Sequence, residues 1–148
     1  MTLADWQNNG WLRPHQTSPQ EIDNLLAIVE RDLQDVQAKS LSADWQFGIA
    51  YNAALKLCTI LLYAAGYRPE KSLAHYRTIT SMPIILGDEH SDDAAYLNAC
   101  RNKRNIVEYD YAGGATDQDA GELISFTVEF KDVVIIWLKE NHPDLLPE

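Results

Sequence analysis

Cysteine is scarce in this chain, and so is positive charge. Only Cys58 and Cys100 occur among 148 residues, and neither belongs to a C-x-x-C or Cys/His spacing of the kind that holds zinc. Each lies inside an apolar run of helical period, so both are expected to be buried free thiols. Lysine and arginine number 12 against 22 aspartates and glutamates, for a formal net charge of -10. So acidic a chain does not adhere broadly to nucleic acid or to an anionic membrane, although a small local basic site remains compatible with it. No apolar run approaches the roughly 18 residues of a membrane span. The opening residues MTLADWQNNG lack the basic and apolar regions of a signal peptide, so a cytoplasmic location is the expectation. The chain has no phosphate-cradling glycine loop: Gly113-Gly114 follows a helical pattern and lacks the Walker lysine. It also lacks a G-x-S-x-G elbow and the Glu-x-x-His pairs of di-iron bundles. Neither a metal nor a cofactor is expected.

What is present is helix. The length suits one domain, and a composition that is 46% hydrophobic and 23% charged is that of a globular chain. Residues 1–17, with Trp6, Trp11 and Pro14, read as an irregular N-terminal arm whose tryptophans pack on the core. Ser18-Pro19-Gln20-Glu21 opens the first clear helix, with Ser18 as cap, Pro19 in the first position and Glu21 completing a capping box. Ile22, Leu25, Leu26, Val29, Leu33 and Val36 form its apolar face. A second helix follows Ser42 and runs to about Ala65. It is apolar nearly all round, which marks a central helix. Gly66 stops it.

Residues 72–86, SLAHYRTITSMPIIL, read as a shorter helix limited by Pro83. The next helix is capped by Ser91 or Asp92, carries RNKRNIVEYDY (residues 101–111) at its end and stops at Gly113-Gly114. Thr116 opens a last helix to about Asn141, with Leu123, Phe126, Phe130, Val133 and Trp137 on its apolar face. No strand pattern competes. The fold expected is all-α, an up-and-down bundle of four long helices plus one short helix over residues 18–142, with a tail at 143–148.

RNKRNIVEYDY is the unusual stretch, since it gathers three of the scarce cations within four positions. On a helix Arg104 and Glu108 stand one turn apart and can pair, with Arg101 and Asn105 on the same side. Asn102, Asn105 and Tyr109 share an adjacent stripe. The plain alternative is a solvated helix end, where cations complement the dipole and an Arg–Glu pair contributes a few tenths of a kcal/mol. Of the histidines, His15, His90 and His142 lie elsewhere, and His75 reads as structural, capping a helix or packed against one. Trp6, Trp11, Trp45 and Trp137 show no spacing of a base-stacking platform.

The stretch Arg104-Asn105-Ile106-Val107-Glu108-Tyr109-Asp110-Tyr111 resembles the signature of HEPN domains, the higher eukaryotes and prokaryotes nucleotide-binding family. That signature is an Arg, a polar residue, a His after four intervening positions and, in one branch, a Tyr two residues later. Here Arg104, Asn105 and Tyr111 match, and Tyr109 stands where the family has His. Residues 51–76 resemble the family's Ala/Leu-rich central segment. The likeness covers roughly residues 18–140.

It implies a helical bundle that forms a homodimer with its two motifs in one cleft. Many such domains are metal-independent ribonucleases. Some of these are toxins, neutralised by a nucleotidyltransferase partner that modifies the trailing Tyr, here Tyr111. Others are catalytically silent interaction modules. Arg101, Arg104 and Asn105 are then the candidate ligand or phosphate contacts, and Arg104, Tyr109 and Glu108 the candidate catalytic set. Histidine titrates near neutrality and tyrosine near 10, so Tyr109 weakens general acid–base catalysis. Two readings stay open. One is a silent dimeric module that binds a nucleotide or phosphate group, in a toxin–antitoxin or defence setting. The other is a divergent ribonuclease acting on RNA through Arg104 with Tyr109 or Glu108.

Overall fold

A computed structural model describes residues 1–109 and 112–146, with only the backbone of Glu108 and Tyr109. The all-α class is what it shows. Ser18 caps α2 (Pro19–Asp35) by accepting from the Glu21 amide, with Pro19 in the first turn. The capping box expected there is only half made. The Glu21 carboxylate turns to the N-terminal segment instead, meeting His15 Nε2 at 2.6 Å and accepting from Thr17 Oγ1 at 2.8 Å. Ser42 caps α3 (Ala43–Ala64) in the same way, through the Trp45 amide.

Helix α3 is the axis of the molecule. It packs on α2, on α6 (Ser91–Tyr109) and on α7 (Asp117–Asn141). Phe47, Tyr51, Leu57, Ile60 and Leu61 are each at most 2% exposed. By length and composition Ala43–Ala64 could cross a membrane, contrary to the expectation that no run is apolar enough, yet 67% of its apolar 18-residue stretch is buried inside the protein. Packing on every side accounts for its composition. Thr116 and Asp119 make a reciprocal capping box at the start of α7. The buried stripe of α7 runs through Ala120, Leu123, Thr127, Phe130, Val134 and Leu138, whereas Phe126, Val133 and Trp137 are only partly buried. Thr127 fits there because its hydroxyl donates to the Leu123 carbonyl at 2.7 Å.

Three further expectations are corrected. Residues 1–17 are not irregular: α1 (Leu3–Asn8) has a Thr2–Asp5 capping box, and β1 (Leu12–Pro14) pairs antiparallel with β2 (Tyr67–Pro69). Strand is therefore present, as a two-stranded ribbon. Its tryptophans do pack, Trp6 edge-on to Trp11 at 5.7 Å, with the Arg77 guanidinium 3.7 Å from the Trp11 ring centre. The stretch 72–86 is two helices, α4 (Ala74–Thr80) and α5 (Met82–Leu86), and Pro83 sits in the first turn of the second instead of ending one helix.

The chain enters α4 through Leu73, whose φ of 56° is left-handed, a conformation that costs a β-carbon residue about 1 kcal/mol or more. Among the described residues it is the one non-glycine with positive φ. The ribbon before it and the packing of α4 on α3 and α6 after it hold this turn, and with it the position of His75.

Candidate functional site

The cations of residues 101–104 part company in space. Lys103 reaches α7, its Nζ 3.4 Å from Asp119 Oδ2, and so secures the start of that helix. Arg101 and Arg104 face the other way. The Arg104 guanidinium lies 5.8 Å from the ring centre of Tyr51 on α3, and that of Arg101 lies 5.7 Å from the ring of Tyr76 on α4. The rings of Tyr51 and His75 are 6.4 Å apart. Three helices thus bring Tyr51, His75, Arg101 and Arg104 to one place, and Lys56 of α3 acts on His75 as well.

The electrostatics follow from that convergence. Tyr51 is 2% exposed, and its hydroxyl is buried without a hydrogen-bond partner. Burial drives its ionisation well above the ordinary phenol value, and Arg101 and Arg104 oppose this without reversing it. The hydroxyl therefore stays a proton donor. His75 is exposed to solvent, with its ring beside that of Tyr51. Partial desolvation, then the charges of Arg104, Lys56 and Arg101, hold its imidazole below the ordinary 6.5, so it is neutral at pH 7. Neither Arg101 nor Lys56 has a carboxylate within ion-pair distance among the described residues; Arg101 Nε donates instead to Asn98 Oδ1 at 3.1 Å.

Beside the cluster lies a cavity of about 1170 Å³ between α2, α3, α6 and residues 112–115. Arg104 lines it and so belongs to both spaces. Its polar wall is Asp32, only 5% exposed, whose carboxylate accepts from Asn52 Nδ2 at 2.7 Å and from Arg31 at 3.0 Å. At the rim the Trp45 indole is 64% exposed. Asp44 ties the loop after α6 to the start of α3, accepting from the amides of Gly113 at 2.6 Å and Ala115 at 3.0 Å. Those two amides hold its carboxyl below the ordinary 3.8.

Of the residues singled out in the sequence, Arg101 and Arg104 are brought together. Asn105 is exposed. The side chains of Glu108 and Tyr109, and Tyr111 entirely, lie outside the described residues. Tyr51, Lys56 and His75 were not singled out as site residues; the run of Arg68, Lys71, His75 and Arg77 in an acidic chain was the available signal. Among the described residues no group of His, Cys, Asp and Glu could hold a metal ion. Cys58 and Cys100 are buried free thiols, and burial pushes the Cys100 thiol up to about 11, away from reactivity. No family model, no curated protein and no solved structure matches the chain.

Asp44 generates a test of how the loop is held. Asp44→Ala should speed hydrogen exchange at the Gly113 and Ala115 amides while α3 stays protected, and Asp44→Asn should do so less. Because the folded carboxyl titrates below its ordinary 3.8, the clamp is complete above that value and is lost as pH falls through the lower folded one. Unchanged exchange at both amides in Asp44→Ala would show that the loop is held by something else.

Proposed function

We propose that this chain is a HEPN-like dimeric protein that binds a phosphate-bearing ligand at the Arg101–Arg104 face of α6 and is catalytically silent, consistent with a cytoplasmic setting. The observation that carries the reading is the gathering of Arg101 and Arg104 about a buried phenol and, with Lys56, about a neutral imidazole, in a chain with a net charge of -10. Cations gathered at partly buried positions raise the local potential and favour an anion. Guanidinium groups suit phosphate oxygens because their donors form a planar fork. The succession of α2, α3, the short helices, α6 and α7 is compatible with the bundle that the resemblance implies.

The silence rests on a tyrosine, Tyr109, standing where the family has His, since a phenol ordinarily titrates near 10 and an imidazole near neutrality. One observation favours the ribonuclease reading as an alternative: His75 supplies a neutral imidazole to the neighbourhood of Arg104.

The test is calorimetric titration with AMP and with pyrophosphate. The natural protein should bind at least one of them, and Arg104→Ala should lose at least ten-fold in affinity while its stability in urea stays within about 1 kcal/mol. Failure of both probes to bind, or equal binding by the variant, contradicts the proposal. The same samples should sediment as a dimer, and a clean 16.7 kDa monomer removes the dimer from the reading. Metal-free cleavage of single-stranded RNA that Arg104→Ala abolishes would replace the silent reading with the ribonuclease one.

A further inference from the structure

The resemblance draws attention to α6 alone, yet the cluster is built from three helices. We infer that Tyr51, Lys56 and His75 complete the anion site of Arg101 and Arg104, that the site takes the doubly charged phosphoryl group of a phosphate monoester, and that His75 is protonated in the bound state. This rests on the anion-binding reading above and assigns the chemistry of that same site.

Three observations support it. The first is the hydroxyl of Tyr51, buried and without an acceptor. Such a group is costly to leave unmade, and an anion oxygen is an acceptor that both neighbouring guanidiniums would favour. The second is the charge around His75. Among the described residues the groups acting on it are Arg104 and Arg101 from α6 and Lys56 from α3, all cationic; the Tyr51 ring lies beside it, and its own helix adds Tyr76 and Arg77. An empty site keeps the imidazole neutral. The charge of a bound dianion beside the ring stabilises the imidazolium, so binding takes up a proton from solvent. The third is a neighbouring space: Arg104, alone of these five residues, lines the cavity of about 1170 Å³, which has room for the remainder of an ester and has Trp45 in its lining.

Sulfate is the probe for the pH arm, since its charge is constant across the range. Affinity should rise roughly ten-fold from about pH 7.5 to about pH 5.5, and His75→Gln should abolish that rise. Lys56→Ala should weaken binding at both values. Tyr51→Phe should weaken binding while leaving the free protein as stable as before or more so, because it removes an unpaired hydroxyl. Phenyl phosphate should bind more tightly than inorganic phosphate.

Sulfate binding that needs Arg104 but is independent of pH, or keeps its pH dependence in His75→Gln, overturns the place of His75 and leaves the anion-binding reading intact. A Tyr51→Phe protein less stable than the natural one overturns the place of Tyr51. Equal affinities for phenyl phosphate and inorganic phosphate overturn the monoester. No binding of sulfate, inorganic phosphate or phenyl phosphate at either pH removes the anion-binding reading itself, and this inference with it.

Discussion

Helix α3 has almost no face to give to water, and the placement of the other elements follows from that constraint. A helix apolar on every side must be enclosed, and burying one large aliphatic side chain contributes about 1.5–3 kcal/mol. Helices α2, α6 and α7 enclose its length, and the small lobe of α1, the ribbon and α4 closes its C-terminal half, where Leu62 packs with Trp6 and Leu12. The few polar side chains on α3 are therefore conspicuous. Asn52 is satisfied by Asp32, Thr59 by its own helix through the Leu55 carbonyl, and Tyr51 is not satisfied at all.

That unsatisfied phenol ties the architecture to the chemistry. An unpaired buried hydroxyl costs about 1–3 kcal/mol, and a left-handed leucine at the entry to α4 adds about 1 kcal/mol or more. Both costs fall at the place where α4 and α6 bring His75, Arg101 and Arg104 against α3. Strain and unmet polarity in a fold gather where structure alone does not require them. A tetrahedral anion there would give the phenol an acceptor. The acidic remainder of the surface disfavours broad adhesion to polyanions.

Local signals were legible in the sequence because the physics behind them is local. Ser18, Ser42 and Thr116 are caps that act over three residues, and all three do so. The enclosure of α3 was legible from its composition. What escaped depends on pairs far apart in the chain. Leu12–Pro14 becomes a strand only because Tyr67–Pro69 lies beside it. Glu21 forsakes its capping box because His15 and Thr17 come within reach. On α7 the stripe from Leu123 to Leu138 runs through Thr127, whose polarity hid the true centre of the buried face. His75 reads as structural because nothing local tells a histidine that it will come under the charges of Arg104 and Lys56 from two other helices. The clamp of Asp44 on Gly113 and Ala115 is invisible for the same reason.

The most direct measurement of the central claim is a crystal structure of the protein grown with tungstate, a heavy tetrahedral dianion whose anomalous signal locates it without ambiguity. The account predicts a tungstate oxygen within hydrogen-bonding distance of the Tyr51 hydroxyl, with the guanidinium groups of Arg101 and Arg104 directed at the same ion and the His75 ring beside it. A Tyr51 hydroxyl bonded to a carboxylate of the chain, with tungstate elsewhere or absent, would contradict it.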